Sequence, residues 1–281
     1  MLWVLPAGLL AGFVLGYLGA GGTVIGLPFV LFLAGLPPHM ALGTNALGVS
    51  LIAAALLAFR IWQGKVNIAD GLVFALPGLA GIYSGVRLGL IFPGQKLVFL
   101  LGFLLFFVSA WMFYLSTQLP ANPADSTENG LEPPRDSRAP KNGILQAVDP
   151  PPRETKVSAD QNSKVRYLRM ALVALLIGLV AGFFGIGGGF LIVPGLVLAG
   201  NMGLMEAAAT SLLPIAVFSG WIGVQYLLSG SAQAPLSGMM LGGGLFGGWA
   251  GIEVGRRLSK KTSQQIFAVF LLLLGIYMIV R

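Results

Sequence analysis

Apolar residues form blocks of membrane-span length along most of the chain, and polar residues are gathered between the blocks. Hydropathy predicts spans near residues 2–19, 22–35, 40–60, 68–90 and 96–116, and again near 168–184, 189–201, 206–228, 236–258 and 263–280. No Asp, Glu, Lys or Arg occurs from Met1 to Phe59, or between Arg169 and Glu206. In lipid, helices satisfy their own backbone hydrogen bonds. We therefore expect an all-α, polytopic membrane protein.

The composition supports this fold class and narrows the partners. Charged residues are 10% of the 281 residues, whereas a soluble domain carries about 25%. The net charge of +7 comes from basic residues at span ends, as the positive-inside rule expects, so membrane lipid rather than nucleic acid is the predicted partner. The chain has no cysteine and one histidine, His39, so no metal site or cofactor is predicted. The first segment lacks a basic n-region and is interpreted as a retained helix rather than a cleaved signal peptide.

A polar segment divides the chain into two membrane domains. Residues 117–165 are rich in Pro, Asp, Glu, Ser, Asn and Lys, and such a composition cannot bury a core. The predicted domains are a first membrane repeat at 1–116, a disordered cytoplasmic linker at 117–165 and a second membrane repeat at 166–281.

The two membrane domains repeat one another. The segment "GFVLGYLGAGGTVIGLP" from Gly12 to Pro28 matches "GLVAGFFGIGGGFLIVP" from Gly178 to Pro194. A second match aligns "GLAGIYSGVRL", beginning at Gly78, with "GWAGIEVGRRL", beginning at Gly248, and so pairs Arg87 with Arg257.

The orientation of the repeats depends on the first segment of each. Residues 2–35 are barely long enough for two spans, and the glycines in the middle of the segment break helices. If the segment turns back as a broken or re-entrant pair, followed by three spans, the two repeats are inverted. One side then collects Arg60, Lys65, Lys164, Arg166, Arg169, Arg256, Arg257, Lys260 and Lys261. The positive-inside rule favours this arrangement, with the linker cytoplasmic and both termini outside.

Glycine turns are the main candidates for a binding site. "GAGG" at 19–22 and "GIGGG" at 185–189 each open a helix, and a helix N-terminus attracts anions. Neither turn fits a dinucleotide or Walker A fingerprint, and close helix packing is the alternative role for small residues. The candidate substrate-binding glycines are Gly19, Gly21, Gly22, Gly185, Gly187, Gly188 and Gly189.

Two pairs of small polar residues lie at equivalent places in the repeats. Thr44 and Asn45 match Thr210 and Ser211, and we include all four as candidate hydrogen-bond donors to a substrate. A helix cap or a bond to a nearby carbonyl is the alternative.

Three acidic residues lie within or at the ends of spans. They are Asp70, Glu206 and Glu253. For Glu253, an ion pair with Arg256 or Arg257 is the alternative to a coupling role. The snorkelling of Arg87 and Arg257 as anchors is expected.

Together, the repeated glycine turn, the alanine- and threonine-rich helix after it and the central hydrophilic loop resemble the TauE/SafE family, known as sulfite exporters. The resemblance covers both membrane domains and excludes the linker. It implies a multi-pass protein of the inner membrane that transports sulfite or a related organosulfur anion. One departure is that Thr23 stands where the second half has Gly189, which argues against equal use of the two turns.

The predicted function is secondary transport of a small anion, sulfite or an organosulfonate, by alternating access. A proton or sodium ion as the coupling ion stays open. An anion channel or a structural membrane protein is the alternative, although broken helices in both halves favour a carrier. An intramembrane enzyme would need a nucleophile with a base or clustered His and carboxylates, so no catalytic residue is predicted.

Overall fold

The fold is a bundle of helices arranged as two similar halves. The computed structural model describes residues 4–118, 156–255, 269 and 271–279. In the first half, α1 is Val4–Leu18, α2 is Gly22–Pro28 and continues as a π-helix at Phe29–Leu33, α3 is Pro38–Trp62, α4 is Ile68–Ile91 and α5 is Gly94–Gln118. In the second half, α6 is Lys156–Phe184, α7 is Gly189–Gly200, α8 is Leu204–Thr210, α9 is Leu212–Leu228 and α10 is Ala234–Gly255. Residues 271–279 are also helical. Every regular element in the described residues is a helix, which confirms the all-α prediction.

Four helical stretches of the described chain are long and apolar enough to cross a membrane. They are Pro38–Trp62, Ile68–Ile91, Lys164–Phe184 and Met205–Leu228. The short helices α1, α2 and α7 come from the segments that glycine interrupts. Each half thus contains span-length helices and helices that glycine interrupts, and the predicted re-entrant pair followed by three spans stays a prediction.

The linker is only partly within the described residues. Residues 119–155 lie outside them, so disorder of this segment stays a prediction. At its far end, α6 begins at Lys156, inside the range that the sequence assigned to the linker. The basic residues of 256–261 also lie outside the described residues.

Glycine stripes join each half to the other. Gly8, Gly12 and Gly16 of α1 pack on Met240, Gly244 and Gly248 of α10, and a Cβ at any of the three would overlap the facing carbonyl. In the same way, Gly178 and Gly182 of α6 pack on Gly78 and Ile82 of α4. Small residues let two backbones touch, which maximises dispersion contacts where lipid supplies no hydrophobic drive. The first helix of each half is thus packed on a span of the other half.

These contacts correct the alignment of the second matching block. Gly12 faces Gly244 as Gly178 faces Gly78, and Gly12 and Gly178 are already equivalent. Gly78 is therefore equivalent to Gly244, at the same offset of 166 residues, and its pairing with Gly248 was wrong by one helical turn. Glycines recur about every four residues in both helices, so the two registers look alike in sequence. At the corrected offset the counterpart of Arg87 is Glu253, and the pairing of Arg87 with Arg257 was wrong as well.

The same contacts fix the relative directions of neighbouring helices. Gly8 faces Met240 and Gly16 faces Gly248, so residue numbers increase in the same direction along α1 and α10, and the two helices are parallel. Along α3, Gly43 lies against Tyr226 and Ser50 against Gly220, so α3 and α9 are antiparallel. How the bundle is oriented in a membrane stays a prediction.

Candidate functional site

Both glycine turns have a backbone that only glycine adopts readily. In the first turn, φ is +66° at Gly19 and +83° at Gly21. In the second turn, φ is +68° at Gly185, +62° at Gly187 and +66° at Gly188. A side chain in this left-handed region is sterically strained. The second turn has one more left-handed residue because α2 already begins at Gly22, whereas α7 begins only at Gly189. The two turns therefore differ in shape, as the shorter glycine run of the first predicts.

The tips of the two turns meet inside the bundle. A Cβ built on Gly189 would lie 3.1 Å from the backbone nitrogen of Gly21. Thr23 Cγ2 lies 3.3 Å from the Cβ position of Gly187. All four residues are buried. The structure thus brings together glycines of the two halves that are far apart in sequence.

The start of α7 directs backbone donors to this place. The first intrahelical bonds are donated by Leu191 and Ile192 to Gly188 O, at 2.8 and 3.0 Å. The N–H groups of Gly189 and Phe190 precede those bonds in the helix. At the start of α2, Val24 and Ile25 likewise donate to Gly21 O, at 3.1 Å each. The first amides of a helix carry partial positive charge, and binding of an anion at the meeting point of the turns stays a prediction.

Thr44 and Thr210 accept hydrogen bonds from backbone amides at equivalent positions of the two halves. Thr44 Oγ1 accepts a hydrogen bond from the backbone nitrogen of Gln233 at 3.0 Å. Thr210 Oγ1 accepts one from the backbone nitrogen of Asn67 at 3.1 Å. Gln233 and Asn67 directly precede α10 and α4, so both threonines hold the start of a span. Contact of either threonine with a substrate stays a prediction.

Asn45 and Ser211 are bonded to the first turn. Asn45 Nδ2 donates to Thr23 O at 2.7 Å, and Ser211 Oγ donates to Gly19 O at 2.6 Å. Both side chains are fully buried. They fix the path of the backbone at the broken helix, and contact with a substrate stays a prediction for them too.

Three hydroxyl side chains around the turns were not predicted from the sequence. Thr23 Oγ1, Ser219 Oγ and Tyr226 OH are buried in the described structure without a hydrogen-bond partner. Ser219 Oγ would overlap a Cβ on Gly187, and Tyr226 OH lies 3.4 Å from the Cβ position of Gly185. The available signal was a hydroxyl within an apolar span, but Ser and Tyr are common in such spans as backbone-bonded or interfacial residues.

A polar network ties the starts of α4 and α6 to the end of α7. Arg166 Nη2 donates to Asp70 Oδ1 at 2.8 Å, with the Asp70 side chain 3% exposed and that of Arg166 32% exposed. Arg166 Nη1 donates to Gly200 O at 3.1 Å, and Asn67 Nδ2 donates to Asp70 Oδ2 at 3.0 Å. Glu206 is 3.5 Å from the same amide. Asp70 is thus a buried ion-pair partner at one end of the bundle, and any coupling role for it stays a prediction.

The two turn tips are packed unequally. A Cβ on Gly19 would overlap the carbonyl of Ala208. The equivalent glycine, Gly185, has only ordinary contacts, with Leu42 Cβ and Tyr226 OH at 3.4 Å. The first tip is therefore closed by backbone, and the second is bordered by side chains.

Comparison with known proteins agrees with this architecture. Residues 4–278 match the sequence model of the family described as "Sulfite exporter TauE/SafE". A "Probable membrane transporter protein" of Xylella fastidiosa is 32% identical, over 98% of this chain and 93% of its own length. "Probable membrane transporter protein YunE" of Bacillus subtilis is 25% identical, over 97% of this chain and 94% of its own length. No solved structure gives a significant match. The chain therefore belongs to the TauE/SafE family of membrane transporters.

Proposed function

We propose that this membrane transporter is a secondary carrier in the inner membrane, which moves a small anion by alternating access. Sulfite or an organosulfonate is the proposed cargo. The anion would be held inside the bundle, where the glycine turns of the two halves meet.

One observation carries the proposal: the two broken helices meet tip to tip in a buried place. The backbone nitrogen of Gly21 lies 3.1 Å from the Cβ position of Gly189, and α7 begins there with amides that precede its first internal bonds. A bare anion in hydrocarbon is very costly. Converging N–H groups and helix N-termini offset that cost without a fixed cation, which favours release as well as binding.

Opposite orientation of the two halves is part of the proposal. It is supported by the antiparallel packing of the equivalent spans α3 and α9. Arg166 contacts Asp70 at the start of α4, so it marks the end of the bundle at which α3 ends and α4 begins. Arg60, near the end of α3, and Lys65, between α3 and α4, lie at this same end. We propose that this basic end is cytoplasmic.

Alternating access is supported by the unequal closure of the two turns. At the end that carries Arg166, an ion pair ties α4 to α6, and the first turn is sealed against Ala208 and bonded to Ser211. The second turn is bordered by side chains that can change rotamer. A carrier that is closed on one side at a time requires this kind of inequality between equivalent contacts.

Counterflow in proteoliposomes tests the proposal. Vesicles loaded with unlabelled sulfite should take up labelled sulfite transiently above equilibrium, because a carrier exchanges its cargo. An anionic organosulfonate such as methanesulfonate, tested in the same way, identifies which cargo is exchanged. A channel dissipates the gradient and gives no overshoot, and absence of flux for every sulfur anion would contradict anion transport.

A further inference from the structure

Three unpartnered hydroxyls surround the second glycine turn. Ser219 and Tyr226 are 0% exposed and Thr23 is 1% exposed, yet no partner is found for their oxygens among the described residues. A buried polar group that lacks a hydrogen bond is destabilising. Natural interiors keep only a few such groups, and each calls for an explanation; here three of the side chains that carry them lie beside one turn.

The hydroxyls of Ser219 and Tyr226 and the methyl group of Thr23 lie close to the glycines of that turn. Ser219 Oγ is so close to Gly187 that a Cβ there would overlap it. Thr23 Cγ2 is 3.3 Å from the same Cβ position, and Tyr226 OH is 3.4 Å from that of Gly185. The α7 helix of twelve residues starts at Gly189, so its first amides join the hydroxyls at the turn.

The first turn lacks this set of hydroxyls. At the offset of 166 residues, Ser219 corresponds to Ala53 and Tyr226 corresponds to Arg60. Alanine has no polar group, and Arg60 Nη2 donates to Gly16 O at 3.2 Å. Thr23 corresponds to Gly189, and its methyl carbon Cγ2 lies against the second turn. The two turns are therefore not equivalent, and only the second has this set of hydroxyl side chains.

We infer that Thr23, Ser219 and Tyr226 are the side chains that bind and select the anion, at a single site on the second turn. This inference rests on the proposed transport of an anion and adds the residues that recognise it. Hydroxyl and amide donors suit an ion with several acceptor oxygens. Little space separates the turn from these side chains, because a Cβ on Gly187 would already overlap Ser219 Oγ, and this favours a compact oxyanion over one with an organic tail.

The experiment compares conservative variants that delete one hydroxyl each. Ser219→Ala, Tyr226→Phe and Thr23→Val are made in the full chain, purified and reconstituted in nanodiscs. Ser50→Ala is the matched control, because Ser50 Oγ donates to Ala216 O at 2.9 Å and is away from the turn. Dissociation constants and binding stoichiometry are measured calorimetrically with sodium sulfite, sodium sulfate and sodium methanesulfonate, and thermal unfolding is measured with and without each anion.

The expected result combines weaker binding with undiminished stability. Loss of one hydrogen bond to an anion should raise the dissociation constant about 5- to 100-fold, with one anion bound per chain. Because these hydroxyls have no partner in the anion-free protein, their removal should leave its unfolding temperature unchanged or higher. Ser50→Ala should do the reverse, with a lower unfolding temperature and unchanged affinity.

Other outcomes separate the inference from the proposed function. If the three variants bind the anion as the parent does, while Gly187→Val abolishes binding, the hydroxyls are not ligands and the inference fails, but the anion site stands. If the variants lower the unfolding temperature of the anion-free protein like the control does, the hydroxyls are structural and the inference fails. If the parent binds none of the anions, both the inference and the proposed function fail. Tighter binding of methanesulfonate than of sulfite would overturn the assignment of a compact oxyanion.

Discussion

Gly187 is the position where a single methyl group tests the geometry of the second turn. Its φ of +62° strains any other residue, and a Cβ there would overlap Ser219 Oγ. The left-handed conformation costs about 1–2 kcal/mol for alanine. Overlap in a packed interior adds about 1–3 kcal/mol. Gly187→Ala should therefore reduce the free energy of unfolding by about 2–5 kcal/mol.

The chain provides a control with the same backbone strain and free space. Gly64 has a φ of +68°, and a Cβ there would meet nothing within 4 Å. Gly64→Ala should thus reduce the free energy of unfolding by only about 1–2 kcal/mol. The difference between the two variants isolates the overlap with Ser219.

A double variant tests whether Ser219 is the atom in the way. Ser219→Ala removes the oxygen and leaves its Cβ 3.2 Å from the new methyl group. Gly187→Ala combined with Ser219→Ala should therefore be about as stable as Gly64→Ala, with a coupling energy of about 1–3 kcal/mol. Unfolding is followed by SDS titration in mixed micelles. The reasoning is refuted if Gly187→Ala is no worse than Gly64→Ala, or if Ser219→Ala gives no rescue.

Three further predictions concern the ion pair of Asp70 with Arg166, the packing of α1 on α10, and the membrane topology. Asp70→Asn should lower the free energy of unfolding by about 1–3 kcal/mol, because it leaves a partly exposed guanidinium without its buried carboxylate; an unchanged SDS midpoint would contradict this. Gly12→Val should prevent a monodisperse protein in size-exclusion chromatography, since its Cβ would overlap the carbonyl of the facing helix, whereas Gly238→Val, where a Cβ meets nothing within 4 Å, should fold. Because the chain has no cysteine, Lys65→Cys, between α3 and α4, should be labelled from the cytoplasm, and Ser229→Cys, in the corresponding link between α9 and α10, should be labelled from outside; labelling of both from the same side would contradict the inverted arrangement.

The helical fold and the glycine turns could be predicted from the sequence because both depend on local properties. Apolar span length predicts helices, and clustered glycines predict breaks, as at Gly19–Gly21 and Gly185–Gly188. The register of the repeat was harder. Glycines recur about every four residues in α4 and α10, so an alignment shifted by one turn had more identities than the alignment that packing supports.

The sequence did not indicate which side chains around the turns have a structural role and which are candidates for substrate binding. Thr44 and Thr210 match between the repeats because they hold the starts of α10 and α4, which is a structural need shared by both halves. Ser219 corresponds to Ala53 and Tyr226 corresponds to Arg60, so neither has an equivalent hydroxyl in the first half. Repetition therefore points to structural hydroxyls, and only the packed structure brings the unpartnered ones to the second turn.

The central claim is that one anion is held where the two broken helices meet. Selenite, the heavier analogue of sulfite, can be located by its anomalous scattering in crystals of the protein grown in lipid. The account predicts a single strong peak at the second turn, placed so that the selenite oxygens accept hydrogen bonds from the Gly189 amide and Ser219 Oγ, and its loss in Gly187→Val. A peak only at arginines of the surface, or none at a concentration that saturates transport, would contradict it.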